Sequence, residues 1–184
     1  MSKRAQPEMR VDAKRNRERI LAAARAAFAE PEADVSMAEV ARRSGVGMAT
    51  LYRNFPGRRE LLEALFADEI DALCQVEDVI GQPPGAGLID WLGRFFAFAR
   101  RKRQFASELL QYTDAHDPVF ETSRARVLAA GRPLLATAQA AGVIRPDIDL
   151  EHVLDMVIAV ATARTDDVEP IFRTAVDGLR FTQA

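Results

Sequence analysis

Between Ser36 and Phe55 the chain has room for two short helices and one tight turn, and little else. Ser36-Met37-Ala38-Glu39 reads as a capping box, in which the serine oxygen accepts from the third amide and Glu39 reaches back. Val35 and Val40 stand at the spacing of a hydrophobic staple. The helix so started covers residues 36–43, with Met37, Val40 and Ala41 on one face. Ser44-Gly45-Val46 must then turn, because glycine takes the left-handed conformation that ends a helix. A second short helix over residues 47–54 offers Val46, Leu51 and Phe55 to a core. Two helices around a glycine turn of this length make a helix-turn-helix. Its second helix protrudes, so Gly47, Met48, Ala49 and Thr50 are placed to enter a DNA major groove. They are small or flexible residues that let a backbone approach closely, and only Thr50 among them offers a side-chain hydrogen bond.

The rest of the chain repeats the helical period between breakers. Ile20, Leu21, Ala24, Ala27 and Phe28 predict a first helix over residues 12–30, stopped by Pro31. Lys14, Arg15, Arg17 and Arg19 crowd its start, where positive charge opposes the helix dipole. Phosphate contact explains them; a merely solvated basic stretch is the plain alternative. Leu61, Leu62, Leu65, Phe66, Ile70 and Leu73 give a fourth helix, residues 57–76, a long apolar stripe. A loop at 81–87 precedes helices over 88–113 (bent or divided near Arg100-Arg101-Lys102-Arg103), 118–141, 150–164 and 168–181. Ala, Leu, Arg and Glu dominate and no strand alternation persists, so the fold class is all-α.

Charge is divided unevenly. Residues 1–63 hold 13 Lys/Arg against 9 Asp/Glu, a balance of +4, and the remainder holds 12 against 18, a balance of −6. That sign fits an N-terminal part that meets phosphate, though surface scatter gives the same count. Cys74 is the single cysteine, which excludes an internal disulfide and suits a reducing cytoplasm. Residues 1–19 are basic without an apolar core and do not read as a signal peptide. No apolar run approaches the roughly 20 residues that span a bilayer, so no membrane partner is expected. His116 and His152 have no metal-ligand partner at a recognised spacing, and neither a metal nor a cofactor is expected.

Several runs together resemble the DNA-binding head of the TetR family: Arg19-Ile20-Leu21, Ala23-Ala24, Phe28, Val40-Ala41, Ser44-Gly45-Val46, Thr50-Leu51-Tyr52, Phe55, Arg59-Glu60 and Leu62. Gly47 stands where that family often has a serine cap, Ala49 where it often has glycine, and Arg59 replaces a usual lysine. More loosely, Trp91-Leu92, Phe95 and Ala141-Gly142-Val143-Ile144-Arg145-Pro146-Asp147 resemble the C-terminal domain of the SbtR-like branch. The resemblance implies a three-helix DNA-binding head over residues 1–60, linked by the fourth helix to an effector-binding and dimerisation domain over 61–184. It implies a homodimeric regulator, a repressor released from a palindromic operator on double-stranded DNA by an unknown, partly apolar small molecule.

The candidate DNA-binding residues are Ser36, Arg43, Gly47, Met48, Ala49, Thr50, Tyr52, Arg53, Asn54, Arg58 and Arg59. The resemblance implies that Thr50 contacts DNA and that the Tyr52 hydroxyl reaches a phosphate; otherwise the Tyr52 ring fills the small core. Arg59 is the foremost phosphate contact, while Ser36 is explained by capping alone. Lys3, Arg4 and Arg10 form a basic arm able to follow a minor groove. Trp91, Phe95, Phe98, Phe105 and Tyr112 either line a ligand cavity or form plain core. The stretch 153–161 is apolar almost all round, which suggests burial against a second subunit. Val153, Val157 and Val160, with Ile171, Phe172, Val176 and Leu179 of the last helix, are the candidate dimer residues in a four-helix bundle between subunits. An enzyme is not expected, since no nucleophile, base and orienting group stand together and no phosphate-binding glycine loop exists. A helical adaptor that binds protein without DNA affinity is the rival, but it leaves the basic first helix and the 50–55 pattern unexplained.

Overall fold

The computed structural model describes residues 5–30, 35–76, 82–109, 112, 118–165 and 167–180, with side chains except at 5–11 and 102–109. Among them run α1 (Ala5–Phe28), α2 (Met37–Ser44), α3 (Met48–Asn54), α4 (Arg58–Cys74), α5 (Ala86–Leu109), α6 (Pro118–Ala140), α7 (Leu150–Ala161) and α8 (Glu169–Asp177). The described residues contain no strand, only an isolated bridge between Ile144 and Arg180. The all-α architecture is as expected, with helix ends adjusted. The first helix starts at Ala5 rather than residue 12; Pro7 does not prevent this, because a first-turn residue has no amide partner to lose. The fifth helix is unbroken through Arg100–Arg103. Thr113 and Phe181, the expected ends of the fifth and last helices, lie outside the described residues, as do Lys3, Arg4, His116 and the side chains of Arg10 and Phe105.

The chain forms two compact units, Met1–Asp68 with Gln104–Thr113, and Glu69–Arg103 with Asp114–Ala184. In the first, α1, α2 and α3 pack against one another. Ile20, Ala24, Val40, Leu51, Phe55, Leu61 and Leu62 are all buried there, the apolar positions that the helical period selects. Ser36 caps α2, its Oγ accepting from the Glu39 amide at 3.1 Å, and Val35 and Val40 are both buried beside the cap. Gly45 ends the same helix at φ 65°. Its amide donates to Arg42 O at 3.3 Å and that of Val46 to Ala41 O at 3.2 Å, the paired bonds of a Schellman turn.

In the second unit α6 packs on α7, and α7 on α8. The turn before α7 is held by Gln139, whose Nε2 donates to Arg145 O at 3.0 Å and to Ile148 O at 2.9 Å. Asp149 then caps α7, accepting from the His152 amide at 2.9 Å. Trp91 is fully buried and its Nε1–H donates to Leu73 O at 3.0 Å, so the indole is fixed at both its apolar face and its polar edge. Gly131 of α6 lies against that ring: a Cβ there would stand 2.5 and 2.7 Å from Trp91 Cη2 and Cζ3, and 2.9 Å from Leu150 Cδ2.

Gly131→Ala therefore meets a wedge that cannot swing aside. Alanine improves helix propensity by about 1 kcal/mol, but overpacking costs about 1–3 kcal/mol. Because the three nearest atoms all stand under 3.0 Å from that Cβ, the cost falls in the upper half of this range, and a net loss of about 1–2 kcal/mol is expected, read as a lower urea midpoint at constant m-value. An unchanged or raised midpoint would contradict this packing.

Candidate nucleic-acid interface

A helix of seven residues has one buried stripe to spend, and α3 spends it on Leu51, with Phe55 buried just past its end. The Arg17 guanidinium lies 4.5 Å from the Phe55 ring centroid. With that stripe inward, Gly47, Met48, Ala49, Tyr52 and Arg53 are exposed, and Thr50 and Asn54 are half-buried. Tyr52 is 47% exposed, so its ring does not fill the core. Gly47 caps α3 in an extended conformation without a side-chain bond, and a Cβ there would meet nothing within 4 Å. Nothing in the local fold demands glycine at 47; the position simply leaves the N-terminal end of α3 bare.

The polar side chains of α3 converge on Thr50. Arg53 Nη2 donates to Thr50 Oγ1 at 3.0 Å, and Asn54 Nδ2 donates to Thr50 O at 2.8 Å. The two arginines at the start of α4 part ways. Arg58 donates to the Val35 carbonyl and sits 5.3 Å over the Phe28 ring, a role inside the fold. Arg59 is exposed and its Nε donates to Glu63 Oε1 at 2.7 Å. Ser36 is exposed and engaged as a cap.

The basic start of the first helix is likewise divided. Arg17 covers Phe55, and Arg19 Nη2 lies 2.8 Å from where a Cβ on Gly45 would stand, against the turn between α2 and α3. Both are exposed residues of α1 that lie against the helix-turn-helix. The signal was the spacing: Arg17 lies three and four residues before the buried Ile20 and Leu21, on the same stripe.

Residues 20–65 match the family model of bacterial regulatory proteins, tetR family, and residues 83–181 match that of the SbtR-like transcriptional regulator C-terminal domain. The chain belongs to the TetR family of transcriptional regulators. Its C-terminal part places it in the SbtR-like branch. A TetR transcriptional regulator of Streptomyces coelicolor is 34% identical, with a TM-score of 0.76 over 91% of this chain and 99% of the other. A TetR transcription regulatory protein of Mycobacterium vanbaalenii is 30% identical, with a TM-score of 0.76 over 94% and 99%. No protein of curated function matches. Among the described residues of this TetR regulator, no helix is long and apolar enough to cross a membrane.

The C-terminal candidates of the TetR regulator are placed unevenly. Trp91, Phe95 and Phe98 are buried and follow one another ring to ring, with centroids 6.0 Å apart for the first pair and 6.2 Å for the second. Tyr112 is exposed, and the Phe105 side chain lies outside the described residues. Two open depressions, of about 670 and 470 Å³, are lined by other residues, among them Arg132, Gln139 and His152 in the larger and Ile89, Val143 and Arg180 in the smaller. Val153, Val157, Phe172, Val176 and Leu179 are buried within the single chain, Phe172 stacked 4.2 Å from Phe96. Each of these helices turns one stripe to its own core, and the apolar residues left outward include Ile158 and Ala159 of α7 and Ile171 of α8, with Val160 half-buried.

Arg43 is the candidate most firmly engaged elsewhere. Its Nη2 donates to Glu30 Oε2 at 2.9 Å and its Nε to Glu39 Oε1 at 2.6 Å, and these carboxylates push its pKa up. Glu39 also accepts from Arg42 Nε and Nη2, both at 2.7 Å, so its carboxylate faces the next turn instead of reaching back to Ser36. Hydrogen bonds from Arg42, then Arg43, lower the Glu39 carboxyl from 4.5 to about 2. A depressed carboxyl contributes stability that is complete above its unfolded value and lost as pH falls through the folded one. Urea unfolding across acid pH should show the wild type losing stability between about 4.5 and about 2 in a component that Glu39→Gln lacks. Parallel profiles for the two proteins would mean that this network carries no such linkage.

Proposed function

We propose that this TetR-family regulator binds double-stranded DNA as a homodimer, represses from a nearly palindromic operator, and is released by a partly apolar small molecule held in the C-terminal domain. Residues 1–60 form the DNA-binding domain, and residues 61–184 the effector and dimer domain. The observation that carries the reading is the outer face of α3: on a helix-turn-helix whose Leu51 and Phe55 are buried, Met48, Tyr52 and Arg53 are left exposed. A protruding second helix of this kind enters a major groove, and two-fold pairing of heads requires two half-sites. Tyr52 and Arg59 contact phosphate on either side, with Thr50 between. Arg43 and Arg58 contribute by holding the head together rather than by touching DNA.

Release follows from one continuous element. α4 begins with Arg58 and Arg59 and ends near Leu73, whose carbonyl takes the Trp91 Nε1–H. A molecule that moves the helix carrying Trp91 acts on the end of α4, and it weakens DNA binding only to the extent that it prefers another position of the heads. Dimerisation uses the outward residues Ile158, Ala159 and Ile171. The regulator works in the cytoplasm, where Cys74 remains a free thiol.

The test is a mobility-shift titration over a salt series on DNA from the protein's own gene neighbourhood. Arg59→Ala should weaken binding and flatten the log–log salt slope by roughly one unit per lost phosphate contact. Tyr52→Phe should cost about 1.5–3 kcal/mol per head, the range for a hydrogen bond to a charged group, at an unchanged slope. Binding no tighter than to nonspecific DNA, repeated with a genome-wide fragment pool, would remove the DNA-binding reading. Separately, Ile158→Glu with Ile171→Glu should convert dimer to monomer in sedimentation while circular dichroism stays helical; a dimer that survives both charges forms through another face.

A further inference from the structure

The groove-facing turn of α3 is short of donors. Gly47, Met48 and Ala49 carry no side-chain N–H or O–H, and Thr50 has a single hydroxyl. Asn54 directs one of its two amide N–H donors to the Thr50 carbonyl at 2.8 Å. A helical side chain leans toward the N-terminus of its own helix, so a long residue one turn later can serve the turn before it. Arg53 does this: the bond from Nη2 to Thr50 Oγ1 at 3.0 Å draws its guanidinium back over Thr50 on the exposed side of the helix.

That bond occupies one of the five guanidinium N–H donors and leaves the others available. Four other arginines of the head are employed differently. Arg43 is held by Glu30 and Glu39, Arg58 by Val35 and Phe28, Arg59 by Glu63, and Arg17 by Phe55. Among the described residues no carboxylate pairs with Arg53. A planar fork of donors, oriented by a neighbour and not neutralised, matches the O6 and N7 acceptors that guanine alone presents as a pair in the major groove.

Resting on the DNA-binding reading above, we propose that Arg53 is the base-reading side chain of this regulator, that it recognises one guanine in each operator half-site, and that Thr50 positions it. Sequence specificity then lies in the last turn of α3, and the bare first turn serves to let the backbone come close.

The experiment is selection of a randomised duplex pool by the full-length protein and by Arg53→Ala and Arg53→Gln, followed by salt-dependent titrations. Wild type should prefer one G·C pair per half-site by about 5- to 150-fold over its replacement by A·T. Arg53→Ala should lose that preference at this position and keep only what sequence-dependent DNA shape selects elsewhere in the site. Arg53→Gln should move it toward adenine, whose N6 and N7 suit a carboxamide. If both variants select the wild-type sequence, with uniformly weaker binding and a flatter salt slope, Arg53 contacts phosphate and the assignment is overturned. If the wild type itself selects no sequence, the DNA-binding reading fails and the assignment falls with it.

Discussion

A helix of seven residues does not hold together in water by its own hydrogen bonds, because nucleation costs more than so few bonds return. α3 exists because Leu51 and Phe55 are buried beneath it and because the Schellman turn at Gly45 delivers the chain at the right angle. Everything functional in the N-terminal unit depends on that anchoring. Bury those two positions, and the helical period turns Met48, Tyr52 and Arg53 outward. Arg17 over the Phe55 ring and Arg19 against the Gly45 turn secure the same anchor from α1. The small exposed surface is thus the far side of a small core, and it is only as well placed as that core is packed.

Charge in this head is of two kinds that a residue count does not separate. Arg43 between Glu30 and Glu39, Arg58 on the Val35 carbonyl, and Arg25 paired with Asp68 tie α1, α2 and α4 together. Their positive charge is largely answered inside the protein. Among the described residues, the partner of Arg53, on the outer side of α3, is a neutral hydroxyl and not a carboxylate. The charges that tie the helices of the head together are thus matched by carboxylates or carbonyls of the protein itself, whereas the guanidinium on the outer side of α3 keeps its charge unanswered.

In the C-terminal unit the controlling feature is close approach. Gly131 lets α6 lie against the Trp91 ring, and the indole N–H returns to the α4 backbone at Leu73. Trp91, Phe95 and Phe98 are occupied in that packing. Any effector that engages them must displace protein contacts, and a displacement of this kind moves helices instead of merely filling space.

The sequence alone determined most of the architecture, because it is governed by local rules. Capping at Ser36, the left-handed turn at Gly45 and the spacing of Leu51 and Phe55 act over a few residues, and each is visible in a short stretch of chain. Helix order, the helix-turn-helix and the family followed from them. Tertiary structure decided which face each residue would show and which partner it would find. Arg43 and Arg59 look alike in the chain, yet Arg43 is held by a carboxylate 13 residues away. Val157 and Ile158 are adjacent in an all-apolar helix, yet one is buried and the other exposed. Those outcomes depend on groups brought together from distant parts of the chain, and no local period encodes them.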